Sequence, residues 1–340
     1  MRKILYIGNK LSKHGFSVTN IETLGEQLIN MGYEVYFASE YKNKLLRLFD
    51  MLFSIIRLSN KVNFVLIDVY SKQAFYFALL SAWVCRIFKM QYFPILHGGN
   101  LPFRLKKNPV LCKSIFGKSS INIAPSNYFF NVFSEAGYDV MFIPNNIFLE
   151  NYKFRERKTF SPYLLWVRSF DKIYNPTMAI KVLKELLTKY PNAHLCMVGP
   201  DKDGSKKKCL EQAGEMGVQK NVTFTGWMSK ADWHSLAEKY DFFINTTHVD
   251  NTPVSVIEAM ALGLPVVTTD VGGISYLVEN EKEGILVSRG NVKQMASAIL
   301  KIIDNSETGQ VLASNARRKA ETFDWAVVRH QWKQLFENSN

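Results

Sequence analysis

Two carboxylates flank a stretch suited to starting a helix. Asp250 precedes Thr252-Pro253-Val254-Ser255-Val256, and Glu258 follows within the same segment. Thr252 suits an N-cap, and Pro253 suits the first helical position because its missing N–H needs no acceptor there. In this reading the N–H groups of Val254, Ser255 and Val256 have no intrahelical acceptor, and the dipole gives that end roughly +0.5 charge. A phosphate fits such an end, while carboxylates accept sugar or ribose hydroxyls. A nucleotide sugar would satisfy both features. An ordinary strand–helix unit with a solvated aspartate would show the same residues.

Two cations, Arg168 and Lys172, follow the apolar run Tyr163–Val167. At the carboxyl end of a strand such a pair can neutralise a diphosphate, with arginine offering a bidentate fork. Solvated loop charges are the alternative. His97 ends the run Gln91–Leu96 and is followed by Gly98 and Gly99. Ligands of open α/β sheets sit at strand carboxyl ends, and glycines let backbone approach closely. A loop histidine bonded to backbone would look alike.

The elements positioning these residues alternate as strand and helix. Lys3–Ile7 and Val35–Ala38 are strands around a helix carrying Ile21, Leu24, Leu28 and Ile29, which Gly32 ends. Further strands fall at 62–69, 91–96, 121–126, 163–167, 194–198, 221–227, 240–245 and 266–269, and the run 141–146 closes the first domain. Helices fall at 73–88, from 127, and at 176–187, 253–262, 291–303 and 323–336. Gly263 is expected to adopt a left-handed conformation after the fourth of the later helices. This order implies parallel sheets with right-handed crossovers. The loop after the first strand lacks Gly-x-Gly-x-x-Gly, so NAD is not indicated, and no P-loop pattern occurs. Asp201–Lys208 reads as a charged surface loop and Lys153–Lys158 as a linker.

The 340 residues suffice for two domains. Cys85, Cys112, Cys196 and Cys209 show neither close pairing nor metal-ligand spacing and read as free thiols of a reducing, cytoplasmic setting. The N-terminus reads as a first strand rather than a signal peptide, and no apolar run approaches the roughly 20 residues of a membrane span. Residues 1–155 carry 19 Lys+Arg against 9 Asp+Glu, the remainder 23 against 21. The basic first half suits an anionic partner. Residues 42–61 form an amphipathic helix with a narrow polar stripe of Arg47, Asp50, Ser54, Arg57 and Lys61. Two readings fit it: shallow insertion at an anionic bilayer surface, or burial on several sides. Arg104, Lys106, Lys107, Lys113 and Lys118 alternate with apolar residues in a loop suited to a lipid-phosphate acceptor, and no nucleic-acid motif accompanies them.

Asp250 and Glu258, with seven residues between them, continue into Ala259, Met260, Ala261, Gly263, Pro265, Val266, Val267, Gly272 and Gly273. This pattern resembles the signature of family 4 glycosyltransferases, retaining enzymes of the GT-B fold. Three positions depart from it: Asp250 stands where glutamate is usual, Asn251 where glycine is common, and Tyr276 where a glutamate often follows the glycine pair. The resemblance implies an α/β fold of two Rossmann-like parallel-sheet domains facing a central cleft. The N-terminal acceptor-side domain would span 1–155, the donor domain 156–320, and a last helix at 321–340 would cross back to the first domain.

The resemblance further implies a sugar transfer from a UDP- or GDP-sugar to a glycan or lipid-phosphate-linked acceptor in cell-envelope or exopolysaccharide synthesis. It implies no cofactor and no catalytic metal. Residue by residue, Arg168 and Lys172 would stabilise the leaving diphosphate, Asp250 would hold the sugar and Glu258 the ribose. His97 would stand near the donor sugar. Gly15 matches the first, cleft-facing glycine loop, and Gly226 ends a strand beside the base pocket. Apart from the resemblance, the free thiols read as cytoplasmic, and the membrane-inserted reading of helix 42–61 would place the N-terminal domain at the inner face of the membrane. An epimerase or phosphorylase of the same fold, or a non-catalytic sugar-nucleotide-binding scaffold, would share these residues.

Overall fold

The computed structural model describes residues 1–14 and 18–339. They form two compact units, Met1–Ile143 and Pro144–Asn340. The first unit runs β1 (Lys3–Ile7), α1 (Asn20–Asn30), β2 (Glu34–Ala38), α2 (Lys44–Leu58), β3 (Phe64–Val69), α3 (Ala74–Ile87) and β4 (Gln91–Leu96). After β4 come α4 (Leu101–Lys107), α5 (Pro109–Phe116), β5 (Asn122–Ala124), α6 (Asn127–Glu135) and β6 (Val140–Phe142). The strands pair in parallel in the order β2-β1-β3-β4-β5-β6. Every residue of β3 is buried, as expected of a strand covered on both faces. Asn43 starts α2 by accepting the N–H groups of Leu45 and Leu46, and Ser126 caps α6 in the same way.

Two expectations for this unit change. The basic segment after His97 is not a loop but the helices α4 and α5, which bury Leu101, Cys112, Ile115 and Phe116. Proline at the start of each helix removes a donor that would otherwise lack an acceptor. The polar stripe of α2 is split: Arg47 and Ser54 are buried, whereas Arg57 is exposed. Arg47 donates to Asn9 Oδ1 (2.8 Å) and to the Lys42 carbonyl (3.1 Å), which compensates its burial.

The second unit holds β7 (Tyr163–Val167), α7 (Pro176–Leu187), β8 (His194–Val198), α8 (Ser205–Glu215), β9 (Val222–Gly226), α9 (Lys230–Ala237) and β10 (Phe242–Asn245). It continues through α10 (Val254–Ala261), β11 (Val266–Thr269), α11 (Ile274–Leu277), β12 (Gly284–Val287), α12 (Val292–Asp304), α13 (Ser306–Glu321) and α14 (Trp325–Asn338). Its sheet is also parallel, ordered β12-β11-β10-β7-β8-β9. Successive strands move one way from β7 and the other way from β10. The crevice of this sheet therefore opens beyond the carboxyl ends of β7 and β10.

The segment read as a surface loop ends in α8, because Asp201 and Asp203 accept the N–H groups of Gly204 and Ser205 (3.0 and 3.1 Å) and start the helix. The charged run 153–158, read as a linker, belongs to the second unit. Its Arg157 guanidinium is buried and donates to the carbonyls of Tyr240 (2.9 Å) and Gly263 (2.8 Å). The chain end is tied to the start of the same unit: Trp325 N–H donates to the Ile147 carbonyl (2.8 Å), and Ile147 N–H to that of Phe323 (2.9 Å). No described helix is long and apolar enough to cross a membrane.

Candidate functional site

In the second unit the expected residues gather at the sheet's crevice. Arg168 follows β7, and its backbone N–H donates to the Val198 carbonyl (3.0 Å). Gly199 lets that neighbour approach: a Cβ there would lie 1.8 Å from the Arg168 carbonyl oxygen. The Arg168 guanidinium pairs with the Asp250 carboxylate and lies 4.5 Å from the ring centre of Tyr174. Both charged side chains are mostly buried, at 16% and 13% exposure. Burial pulls the Arg168 pKa below its usual value, so this cation has a strong demand for an anion. Its Nε is buried with no hydrogen-bond partner.

The loop carrying Asp250 is fixed from several sides. Thr246 Oγ1 accepts from Trp166 Nε1 (3.0 Å) and donates to the Tyr174 carbonyl (2.9 Å). Thr269 Oγ1 donates to the Thr247 carbonyl (2.7 Å), and His248 N–H to that of Ile173 (2.7 Å). The glycine pair closes the other side. A Cβ on Gly272, where φ is +58°, would lie 2.1 Å from the Asp250 carbonyl oxygen, and one on Gly273 would lie 2.3 Å from that of Asn251. Gly273 N–H donates to Asp250 O at 3.1 Å. These glycines are therefore seats for the acidic loop.

The helix after this loop begins one residue later than expected. Pro253 is the cap, with ψ of 116°, and α10 starts at Val254. Thr252 is buried ahead of it and accepts from Asn145 Nδ2 at its carbonyl (3.3 Å). The Val256 N–H is satisfied by the Pro253 carbonyl (3.0 Å), so only Val254 and Ser255 precede the first helical bond. Ser255 Oγ is buried without a partner beside them. The helix ends at Ala261 with Leu262 as its C-cap, one residue short of the expected end, and Gly263 takes φ of +77°, as expected. Glu258, facing inward on α10, is 4% exposed, and its Oε1 accepts from Tyr152 OH (2.9 Å) and Lys230 Nζ (2.7 Å). Burial, then the Glu258 charge, push the Tyr152 phenol far above its usual pKa, so it remains a donor.

Not every expected residue joins this group. Lys172 is exposed in a short turn whose N–H is held by Asp203 (3.0 Å), and no described contact brings it to Arg168 or Asp250. Gly226 ends β9 at φ of +76° with open space around it. Gly15 lies outside the described residues. His97 belongs to the first unit, at the end of β4. Its Nε2 is 2.9 Å from Asp68 Oδ1, and its ring stacks on Tyr70 with centres 5.5 Å apart. Asp68 also accepts from Tyr6 OH (3.0 Å), which accepts from Asn20 Nδ2 (2.8 Å). Because a carboxylate only accepts, Nε2 is the nitrogen that donates to Asp68. Asp68 was overlooked in sequence, although one carboxylate inside the apolar run Phe64–Val69 is a legible signal. Tyr152, Tyr174 and Lys230 were overlooked too, and no spacing pattern marks them.

Residues 150–319 match the family described as glycosyl transferases group 1, which is half of the chain. The chain belongs to this family. A sulfoquinovosyl transferase of Arabidopsis thaliana is 27% identical over 153 residues, which is 44% of this chain and 29% of that protein. Matched stretches span 29–48% of the lengths of the curated relatives. Among solved structures, sucrose-phosphate synthase from Thermosynechococcus elongatus superposes with a TM-score of 0.80 at 18% identity, covering 99% of this chain and 98% of that one. HepE of Anabaena, solved with UDP-glucose, gives 0.77 at 19% identity over 99% and 100%. These likenesses confirm the two-domain GT-B fold of this family member.

Proposed function

We propose that this family member transfers a sugar, with retention of configuration, from a nucleoside-diphosphate sugar to a glycan or lipid-linked acceptor of the cell envelope. The observation that carries the reading is the concentration of buried, unsatisfied donors at one sheet's crevice. Arg168 Nε, on the guanidinium that pairs with Asp250, and Ser255 Oγ, in the first turn of α10, are buried without partners. Buried donors of this kind are costly unless a ligand completes them. A diphosphate supplies acceptor oxygens for all of them, and charge growing on it as the glycosidic bond breaks would be stabilised by groups already in place.

In this assignment Arg168 leaves Asp250 in part for the diphosphate, and the freed carboxylate accepts sugar hydroxyls. Glu258, fixed by Tyr152 and Lys230, meets the ribose. Lys172 is a secondary contributor, since it is exposed and loosely held. Gly226 leaves room for the base, and no cofactor or metal is invoked. The first unit is assigned the acceptor side, with His97 held by Asp68. UDP is the favoured nucleotide because the structurally similar HepE was solved with UDP-glucose.

The test is thermal stabilisation by a panel of UDP- and GDP-sugars, followed by turnover with and without acceptor extracts. One donor should raise the melting point, since a ligand of the native state stabilises by mass action. Arg168→Ala should remove that shift and lower turnover about a hundredfold or more. No stabilisation by any nucleotide sugar would refute the proposal. Stabilisation with donor isomerised or merely bound would favour the epimerase or scaffold alternatives.

A further inference from the structure

The outer surfaces of α2 and α3 leave large apolar side chains in rows that no described residue covers. On α2, Leu46, Phe49, Phe53 and Ile56 recur at helical spacing, with Phe49 67% and Phe53 61% exposed. On α3, Tyr76, Leu80, Trp83 and Ile87 form a second row, Trp83 and Ile87 each 54% exposed. The helices pack against each other on one side of the sheet, and Lys44 Nζ donates to Gln73 Oε1 (2.5 Å) between them. Helical residues three, four and seven apart share a face, so the two rows make one continuous apolar strip. Arg104, 5.4 Å from the Tyr76 ring centre, brings basic α4 against the end of that strip.

We propose that this two-helix strip docks the protein onto an anionic lipid bilayer. Charge decides between a lipid surface and a second copy of the chain. Lys42 and Lys44 precede the α2 row, and Arg57 and Lys61 close it; Lys72 and Lys89 bracket α3, and all six are exposed. Residues 42–61 contain one acid, Asp50, and residues 71–90 none. A symmetric dimer through this face would oppose like charges, whereas anionic headgroups complement them. The composition suits an interface: Trp83 and Tyr76 favour the headgroup boundary, with phenylalanine and leucine below it. Neither α2 nor α3 is long enough to span, so both would lie in the plane. Arg47 is withdrawn into the unit, which leaves the middle of the α2 row without a cation that would resist insertion. This inference does not depend on the transfer reading.

The full chain should co-sediment with liposomes of phosphatidylcholine mixed with phosphatidylglycerol but not with phosphatidylcholine alone, and salt should weaken binding. Trp83 is the sole tryptophan of the first unit. Its emission should shift to the blue and be quenched by brominated acyl chains, and Trp83→Phe should remove that response. Phe49→Ser combined with Phe53→Ser should lower partitioning about tenfold or more. Their thermal response to nucleotide sugars should be unchanged, which separates this outcome from misfolding and from failure of the transfer reading. Concentration-dependent dimerisation abolished by the same variants, without liposome binding, would overturn the proposal. Binding that depends on the lysines but not on Phe49, Phe53 or Trp83 would overturn it as well.

Discussion

At the scale of the residue, the second unit places titratable groups where burial dominates their behaviour. His234 lies between Tyr152 and Trp233, with both ring centres 4.5 Å away, and its Nε2 has no partner. Burial, then the charge of Lys230, lower its pKa from 6.5 to about 4. The folded state therefore resists a proton that the unfolded chain accepts. Its stability contribution is complete above pH about 6.5 and is lost as the pH falls through about 4. The full shift corresponds to about 3 kcal/mol, reduced by solvent screening because the ring is only partly buried. Urea denaturation in steps between these pH values should show the decline, and His234→Gln should flatten it; equal slopes would place the pH dependence elsewhere. His234 touches Tyr152, which touches Glu258, so the same titration should loosen the grip on Glu258.

At the scale of the element, glycines decide whether the acidic loop can sit where Arg168 reaches it. Gly272→Ala would drive a Cβ onto the Asp250 carbonyl oxygen at 2.1 Å and force a left-handed backbone on alanine. Gly290 has a comparable φ, +76°, with nothing within 4 Å. Gly290→Ala should thus cost only the conformational term, about 1–2 kcal/mol. Gly272→Ala should cost at least about 1 kcal/mol more and displace Asp250, raising the KM for donor as well. Melting curves and donor titrations of the two variants measure the difference, and equal losses would show that the close approach is not limiting. Helix starts follow similar local rules. Pro253 caps α10 instead of opening it, because its extended ψ delays the first helical turn, and this satisfies Val256 at the expense of one anchoring N–H.

At the scale of the whole molecule, each unit keeps its own hydrophobic core. One apolar cluster lies in the first unit and two in the second. The signature loop, Arg168 and α10 all belong to the second. A nucleotide sugar should raise the second unit's unfolding transition in calorimetry; tryptophan fluorescence can follow it, since Trp166, Trp227, Trp233, Trp325 and Trp332 lie there. A shift carried by the first unit instead would place the donor elsewhere.

The sequence alone determined the alternation of strands and helices, the two parallel sheets, the family, and the positions of Asp250, Glu258, Arg168 and His97 on their elements. These are written in local patterns: apolar periods, caps, glycines and motif spacing. It did not determine which polar atoms meet. The pairing of Arg168 with Asp250, the clamp of Tyr152 and Lys230 on Glu258, and Asp68 behind His97 join residues 28 to 106 positions apart. Nor did it decide that Arg47 turns inward and the apolar row of α2 outward. Such choices follow from strand order and packing, which bring distant side chains into competition for the same buried volume, and only the tertiary structure resolves that competition.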